Sequence, residues 1–233
     1  MTEESLPEVD ESSMETGPAM VKTETTLWMR QKQDDDETMS NFGITTASVA
    51  LATFFNHGVQ SLTPEMLDQI LKIGPLYGDE LGIRPESEQS AAIQLLNDHG
   101  KIENDEPYIS VNFHVAEEPV FGGNLDSNLS VRKVFDRFSD KFRWGIVNLD
   151  GKYVAIEFDV HATRNFYVFD PTGNGSLVAN KGYRKATIVL CPTTALASYL
   201  SNVFTGASVK ELTILPVTIA KIMGPGRKLI TSL

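Results

Sequence analysis

The stretch Tyr167-Val168-Phe169-Asp170-Pro171-Thr172-Gly173 governs how the rest of the chain is read, because an apolar run stops there at an acid, a proline and a glycine. Residues suited to a pleated sheet, followed by Asp-Pro and then Gly, predict a buried strand over 165–170. Such a strand delivers one carboxylate to a rim where a turn begins. Upstream, residues 144–148 and 153–158 read as two further strands joined at Asp150-Gly151, a pair that tolerates the positive φ angles of a tight hairpin. Downstream, residues 186–190 form another short apolar run. Residues 108–115, YISVNFHV, alternate so that Ile109, Val111, Phe113 and Val115 share one face of a half-buried strand. The last predicted strand covers 211–219, where Pro216 implies an edge or a bulge.

Helices are signalled in between. Residues 45–57, TTASVALATFFNH, combine small residues with Val49, Ala50, Phe54 and Phe55, which suits a helix buried on most sides and ended by Gly58. A second helix begins with Thr63 as cap, Pro64 in the first turn and Glu65 near the positive dipole end, and Gly74-Pro75 stops it. A third spans about 86–99, closed by Gly100. After a Gly-rich loop around Gly122-Gly123, Ser127 or Ser130 caps a helix carrying Val131, Val134, Phe135 and Phe138. Thr193 or Thr194 caps a last one carrying Leu196, Leu200 and Phe204. Helices first, then a mostly antiparallel sheet with helices interleaved, make the fold class α+β.

Composition narrows the functions. The chain has 233 residues, 41% of them hydrophobic, enough for a sizeable core. Its formal net charge is −11, and no run of Lys and Arg is longer than Arg132-Lys133, which speaks against a nucleic-acid partner held through its phosphates. Cys191 is the sole cysteine, so no intramolecular disulfide and no multi-cysteine metal site can form, and a reducing compartment, cytoplasmic or nuclear, is expected. No signal-peptide pattern and no bilayer-spanning apolar run stands in the sequence, so no membrane partner is expected. Residues 1–26, rich in Glu, Ser, Thr and Pro, read as a disordered acidic tail. Residues 27–222 read as the folded domain and residues 223–233 as a C-terminal tail. Asp34-Asp35-Asp36-Glu37 lacks the ligand spacing of a calcium loop, and His57, His99, His114 and His161 show no paired spacing, so neither metal nor cofactor is expected. Gly173-Asn174-Gly175 lacks the Lys and Ser/Thr of a phosphate loop.

Asp170-Pro171-Thr172 resembles the Asp-Pro-His that closes the active site of the herpesvirus tegument deubiquitinases, papain-like cysteine proteases also found in large eukaryotic mobile elements. Other stretches resemble that family in the same order. Asn41-Phe42-Gly43-Ile44-Thr45-Thr46-Ala47-Ser48 stands where the family has Gly-x-Gln-Cys opening a small-residue helix. Leu67-Asp68-Gln69-Ile70-Leu71-Lys72-Ile73-Gly74-Pro75-Leu76-Tyr77 is similar to its Leu-Asp-x-Ile/Val-x-x-x-Gly-x-x-Leu segment. Trp144-Gly145-Ile146-Val147, Tyr153-Val154-Ala155-Ile156 and Tyr167 to Pro171 resemble its hairpin-to-aspartate passage. Lys181-Gly182-Tyr183, the run 186–190 and Ala195-Leu196-Ala197-Ser198-Tyr199-Leu200 resemble its terminal strand and helix. The resemblance covers roughly residues 31–219 and implies a papain-like fold, a helical side packed on the sheet, with a ubiquitin-like protein as partner.

The departures carry the functional reading. By this resemblance Ile44, or else Thr45, occupies the nucleophilic cysteine position, and Thr172 the base histidine position; Gln31, or else Gln33, stands where the oxyanion-hole glutamine would be. Of the triad positions Ile44, Asp170 and Thr172, only Asp170 keeps the family's residue. A cysteine protease needs a thiolate and an imidazole in contact, so no catalytic residue is expected. The chain reads as an inactive deubiquitinase-like domain of viral or mobile-element kind, serving as a protein-binding or scaffold module. Two alternatives stand beside it: a hydrolase with a displaced nucleophile, drawn from Cys191 or from Thr45, Thr46 or Ser48 with His161 as base, and a structural protein of a virus or mobile element.

Overall fold

The structure, a computed structural model, describes residues 19–20, 43–84, 87–119, 121–161, 165–171, 186–204, 207 and 210–222. Apart from Ala19 and Met20, the proposed acidic tail 1–26 lies outside the described residues, as do 223–233, Gln31, Gln33 and Thr172. In chain order the elements are β1 (Ala19–Met20), α1 (Gly43–His57), a short 3-10 turn (Val59–Ser61), α2 (Pro64–Glu80), α3 (Gln89–His99), β2 (Lys101–Asn104), β3 (Ile109–Val115), β4 (Phe121–Asn124), α4 (Asn128–Ser139), β5 (Trp144–Leu149), β6 (Lys152–Asp159), β7 (Asn165–Asp170), β8 (Thr187–Pro192), α5 (Leu196–Val203) and β9 (Glu211–Lys221).

The α+β class and the antiparallel sheet match the expectation. One sheet runs in the order β1-β8-β7-β6-β5-β9-β3-β2, with β4 also paired to β9. Every pairing among the described residues is antiparallel. The β5–β6 hairpin turns at Asp150 and Gly151, with φ of 55° and 74°, the left-handed pair that its sequence called for. Helices cover both faces of the sheet. α1, α2 and α3 close one face around Ile44, Phe54, Leu67, Ile93, Phe113 and Phe169. α4 and α5 close the other around Phe135, Phe138, Phe166, Leu196 and Leu200.

Several boundaries differ from the sequence reading. Gly74-Pro75 does not stop the second helix, which continues to Glu80 with Pro75 inside it. Gly74 answers to packing instead: a Cβ there would sit 2.6 Å from Thr46 Cα, so its absence lets α2 cross α1 backbone to backbone. β9 is central, not an edge, although it contains Pro216. β3 ends opposite Val217 and β4 begins opposite Ile214, so Pro216 falls in the gap between them, where only its carbonyl is used, accepting from Ala116 N at 2.9 Å. The missing N–H of proline therefore leaves no ladder bond unmade. Gly122 and Gly123, read as loop, belong to β4; a Cβ on Gly123 would meet Val134 Cγ2 of α4 at 2.8 Å. Neither Thr193 nor Thr194 caps α5, whose first turn follows Ala195 with no side-chain cap. Ser127 does cap α4, its hydroxyl accepting from Ser130 N. Ala19–Met20, assigned to the disordered tail, instead form a two-residue strand against β8.

Candidate functional site

The start of α1 is where the resemblance puts chemistry, and it is closed. Gly43 to Ser48 are all buried, and Ile44 is 1% exposed. Tyr153 of β6 lies over the helix start; a Cβ on Gly43 would be 2.8 Å from its ring. Burial pushes the Tyr153 phenol up to about 12, so it stays neutral at ordinary pH. The nearby hydroxyls serve the helix itself. Ser48 Oγ donates to Ile44 O at 2.8 Å, Thr53 Oγ1 donates to Val49 O at 2.8 Å, and Thr46 faces Gly74. Such back-bonding occupies the proton that a nucleophilic hydroxyl would have to give up.

Asp170 reaches the same end of the sheet but faces the other way. Phe169 points to α1, where its ring meets Phe54 edge-on at 6.3 Å. Alternation along a strand then sends Phe166, Val168 and Asp170 to the opposite face, and the first two pack in the α4/α5 core. Asp170 is fully buried rather than presented at a rim. Its charge is felt by Tyr199 of α5, whose phenol is raised first by burial and then by that carboxylate. Thr187, opposite Asp170 in the β7–β8 register, is also fully buried. Ile44 and Asp170 thus lie on opposite faces of one sheet.

The residues of the displaced-nucleophile alternative do not assemble. Cys191 is fully buried on the α4/α5 face, opposite Phe166, and burial pushes its thiol up to about 12. His161 follows Asp159 in the turn at the far end of β6 from Tyr153, and Tyr153 to Asp159 alone is six residues of strand, or about 20 Å. It is exposed, and its backbone N donates to Asp159 Oδ1. No hydroxyl at the start of α1 lies within reach of it.

A polar set that sequence reading passed over occupies the α1 face at that far end. Arg143 donates from Nε and Nη2 to Glu157 Oε1 at 3.0 and 2.5 Å, and its guanidinium lies 4.8 Å from the Trp144 ring centre. Glu157 is 4% exposed; burial raises its pKa, and the Arg143 bonds only partly oppose that. Gln60 donates to Tyr167 Oη, which donates to Asp159 Oδ2 at 3.3 Å. The signal was present: Tyr153, Ala155 and Glu157 alternate along β6, so the acid shares their inward face.

Among the described residues no group of His, Cys, Asp and Glu converges as a metal site, and no helix is long and apolar enough to cross a membrane. No protein-family model and no curated protein matches the chain. Among solved structures, the chain is similar to the ubiquitin-specific protease encoded by a murine cytomegalovirus tegument protein, solved in complex with a ubiquitin-based suicide substrate. The TM-score is 0.48 and the identity 15%, over 91% of this chain and 89% of that chain.

Proposed function

We propose that this chain is a non-catalytic, deubiquitinase-like domain of papain-like descent that acts as a protein-binding or scaffold module, with a ubiquitin-like protein as the partner class. The observation that carries the reading is the closed start of α1, where Gly43 packs under Tyr153 and Ile44, in the place the resemblance gives to a nucleophile, is buried. A thioester-forming enzyme needs an open approach to a thiolate beside an imidazole. Ile44 offers no nucleophile, and the sole thiol, Cys191, is buried on the far side of the sheet. What such a chain retains is a folded surface.

A ubiquitin probe with an electrophilic C-terminus tests the absence of catalysis. The full chain is expected to form no covalent adduct, and an adduct that disappears in Cys191→Ala would overturn the reading. Ile44→Cys with Thr172→His should also stay unlabelled while Tyr153 covers the site. Isotope-labelled ubiquitin, titrated with the chain to millimolar concentration, tests the partner: localised shift changes are expected, and their absence would remove ubiquitin as partner.

A further inference from the structure

On the α1 face, where β5 starts and β6 ends, one buried acid is held by one half-exposed cation. Glu157 is 4% exposed, whereas the Arg143 side chain leaves 46% of its surface in solvent. Strand register walls the acid in: Trp144 of β5 stands on one side of it, Tyr167 of β7 on the other, and Asp159 follows on the same face of β6. Arg143 precedes Trp144, and its backbone carbonyl accepts from Phe158 N at 2.7 Å, so the main chain below the guanidinium is tied to β6 independently of the side chain. Both guanidinium bonds go to Oε1 of Glu157, and Oε2 is buried without a hydrogen bond. The Trp144 indole N–H eases the charge slightly but makes no hydrogen bond of its own.

The remaining neighbours leave Arg143 as the ionic hold on that charge. Asp159 repels it, and accepts through Oδ2 from the Tyr167 hydroxyl. Burial raises the Tyr167 phenol, which therefore stays neutral. From α1 and the turn after it come Phe55, whose ring meets Trp144 at 5.5 Å, and Gln60, which donates to Tyr167 Oη; His57 Nε2 is engaged 2.8 Å from Tyr108 O. His161 reaches Asp159 through its backbone N–H. A walled-in carboxylate is costly to keep charged, and its one described ion pair is with a side chain that has open solvent beside it and regains rotamer freedom on leaving.

We propose that Arg143 is an acid-released clip: when Glu157 takes up a proton, the guanidinium loses the charge that holds it and swings into solvent, uncovering the Trp144 ring beside Phe55. Burial works in the same direction, because it favours the neutral carboxyl and the Arg143 bonds only partly oppose it. The ring is uncovered because the guanidinium lies 4.8 Å from its centre in the clipped state. The clip stands whether or not the proposed function holds. It is tested on the full chain through the Nε–H resonance of Arg143, assigned by its absence in Arg143→Lys. At about pH 7 that signal is expected apart from those of free arginines and in through-space contact with the Trp144 ring protons, and by about pH 4 both the offset and the contact should be lost while amide shifts of β5, β6 and β9 stay in place. In Glu157→Gln the signal should sit at the free position throughout, with no step in pH. A contact that survives to low pH, or one lost only together with the sheet amides, would overturn the clip. So would a Glu157→Gln chain that keeps the step, since another group would then be the one titrating.

Discussion

The two faces of the sheet are closed by different means. On the α1 face the closure comes from close approach of backbones: Gly74 against Thr46, Gly43 under Tyr153, and a helix whose residues from Gly43 to Phe54 are all buried. On the α4/α5 face it comes from aromatic volume, with Phe135 5.0 Å from Phe166, Phe121 5.8 Å from Phe138 and Phe138 stacked on Phe142. Each face also buries an acid, Glu157 beside Arg143 on the first and Asp170 near Tyr199 on the second. The first face is therefore intolerant of added atoms and the second of lost ones. A site of the papain kind would have to open the first, the face with the least slack.

Four experiments would break or sharpen that contrast. The largest effect is expected on the aromatic face, where Phe135→Ala should cost about 3–5 kcal/mol in denaturant unfolding; a loss below about 1 kcal/mol would show that this core relaxes around the cavity. Close behind is Cys191. At pH 8 its thiolate fraction should lie roughly a thousandfold below that of an ordinary thiol, so a thiol reagent should modify the native chain about that much more slowly than the unfolded chain. Rapid native labelling would mean that the face breathes. On the α1 face, Gly74→Ala adds one carbon against the Thr46 backbone and should cost about 1–3 kcal/mol, whereas Gly122→Ala, which meets nothing nearer than 3.9 Å, should be milder. The smallest effect concerns Glu157. Burial raises its folded pKa above that of an ordinary carboxyl, so the folded state holds that proton more tightly and stability declines as pH climbs from the ordinary carboxyl range through the folded value. Glu157→Gln should remove that decline, so the difference in unfolding free energy between the two chains should move in the variant's favour as pH rises from about 4 to about 8. A parallel pH profile for both chains would place the Arg143 bonds ahead of burial.

Features that rest on a local rule were legible before folding. The alternation over Ile109–Val115, the Asp150-Gly151 hairpin and the small-residue helix at Gly43–His57 all appear where the residues put them. What misled was glycine and proline whose reason is tertiary. Gly74 and Gly123 look like punctuation, yet each makes room for a neighbouring element, and Pro216 looks like an edge residue because the interruption between β3 and β4 cannot be seen from within β9. At the candidate site the residue types were readable, but their facing was not. Asp170 and Ile44 approach the same end of the sheet, and only the parity of β7 against Phe169 reveals that they point apart.

β9 has a consequence for how the molecule is made. It joins β5 to β3 and also carries β4, yet among the described strands it is the last to be synthesised. Until it emerges, β5 to β8 and the β2–β3 pair are two unjoined ribbons, each offering β5 or β3 as a raw edge. The contacts that unite the sheet are thus long-range ones, such as Val111 with Lys221 and Trp144 with Val217, which makes for slow assembly and exposure to wrong strand partners along the way. A ribosome that stalls before Glu211 would release two half-sheets rather than a shortened domain.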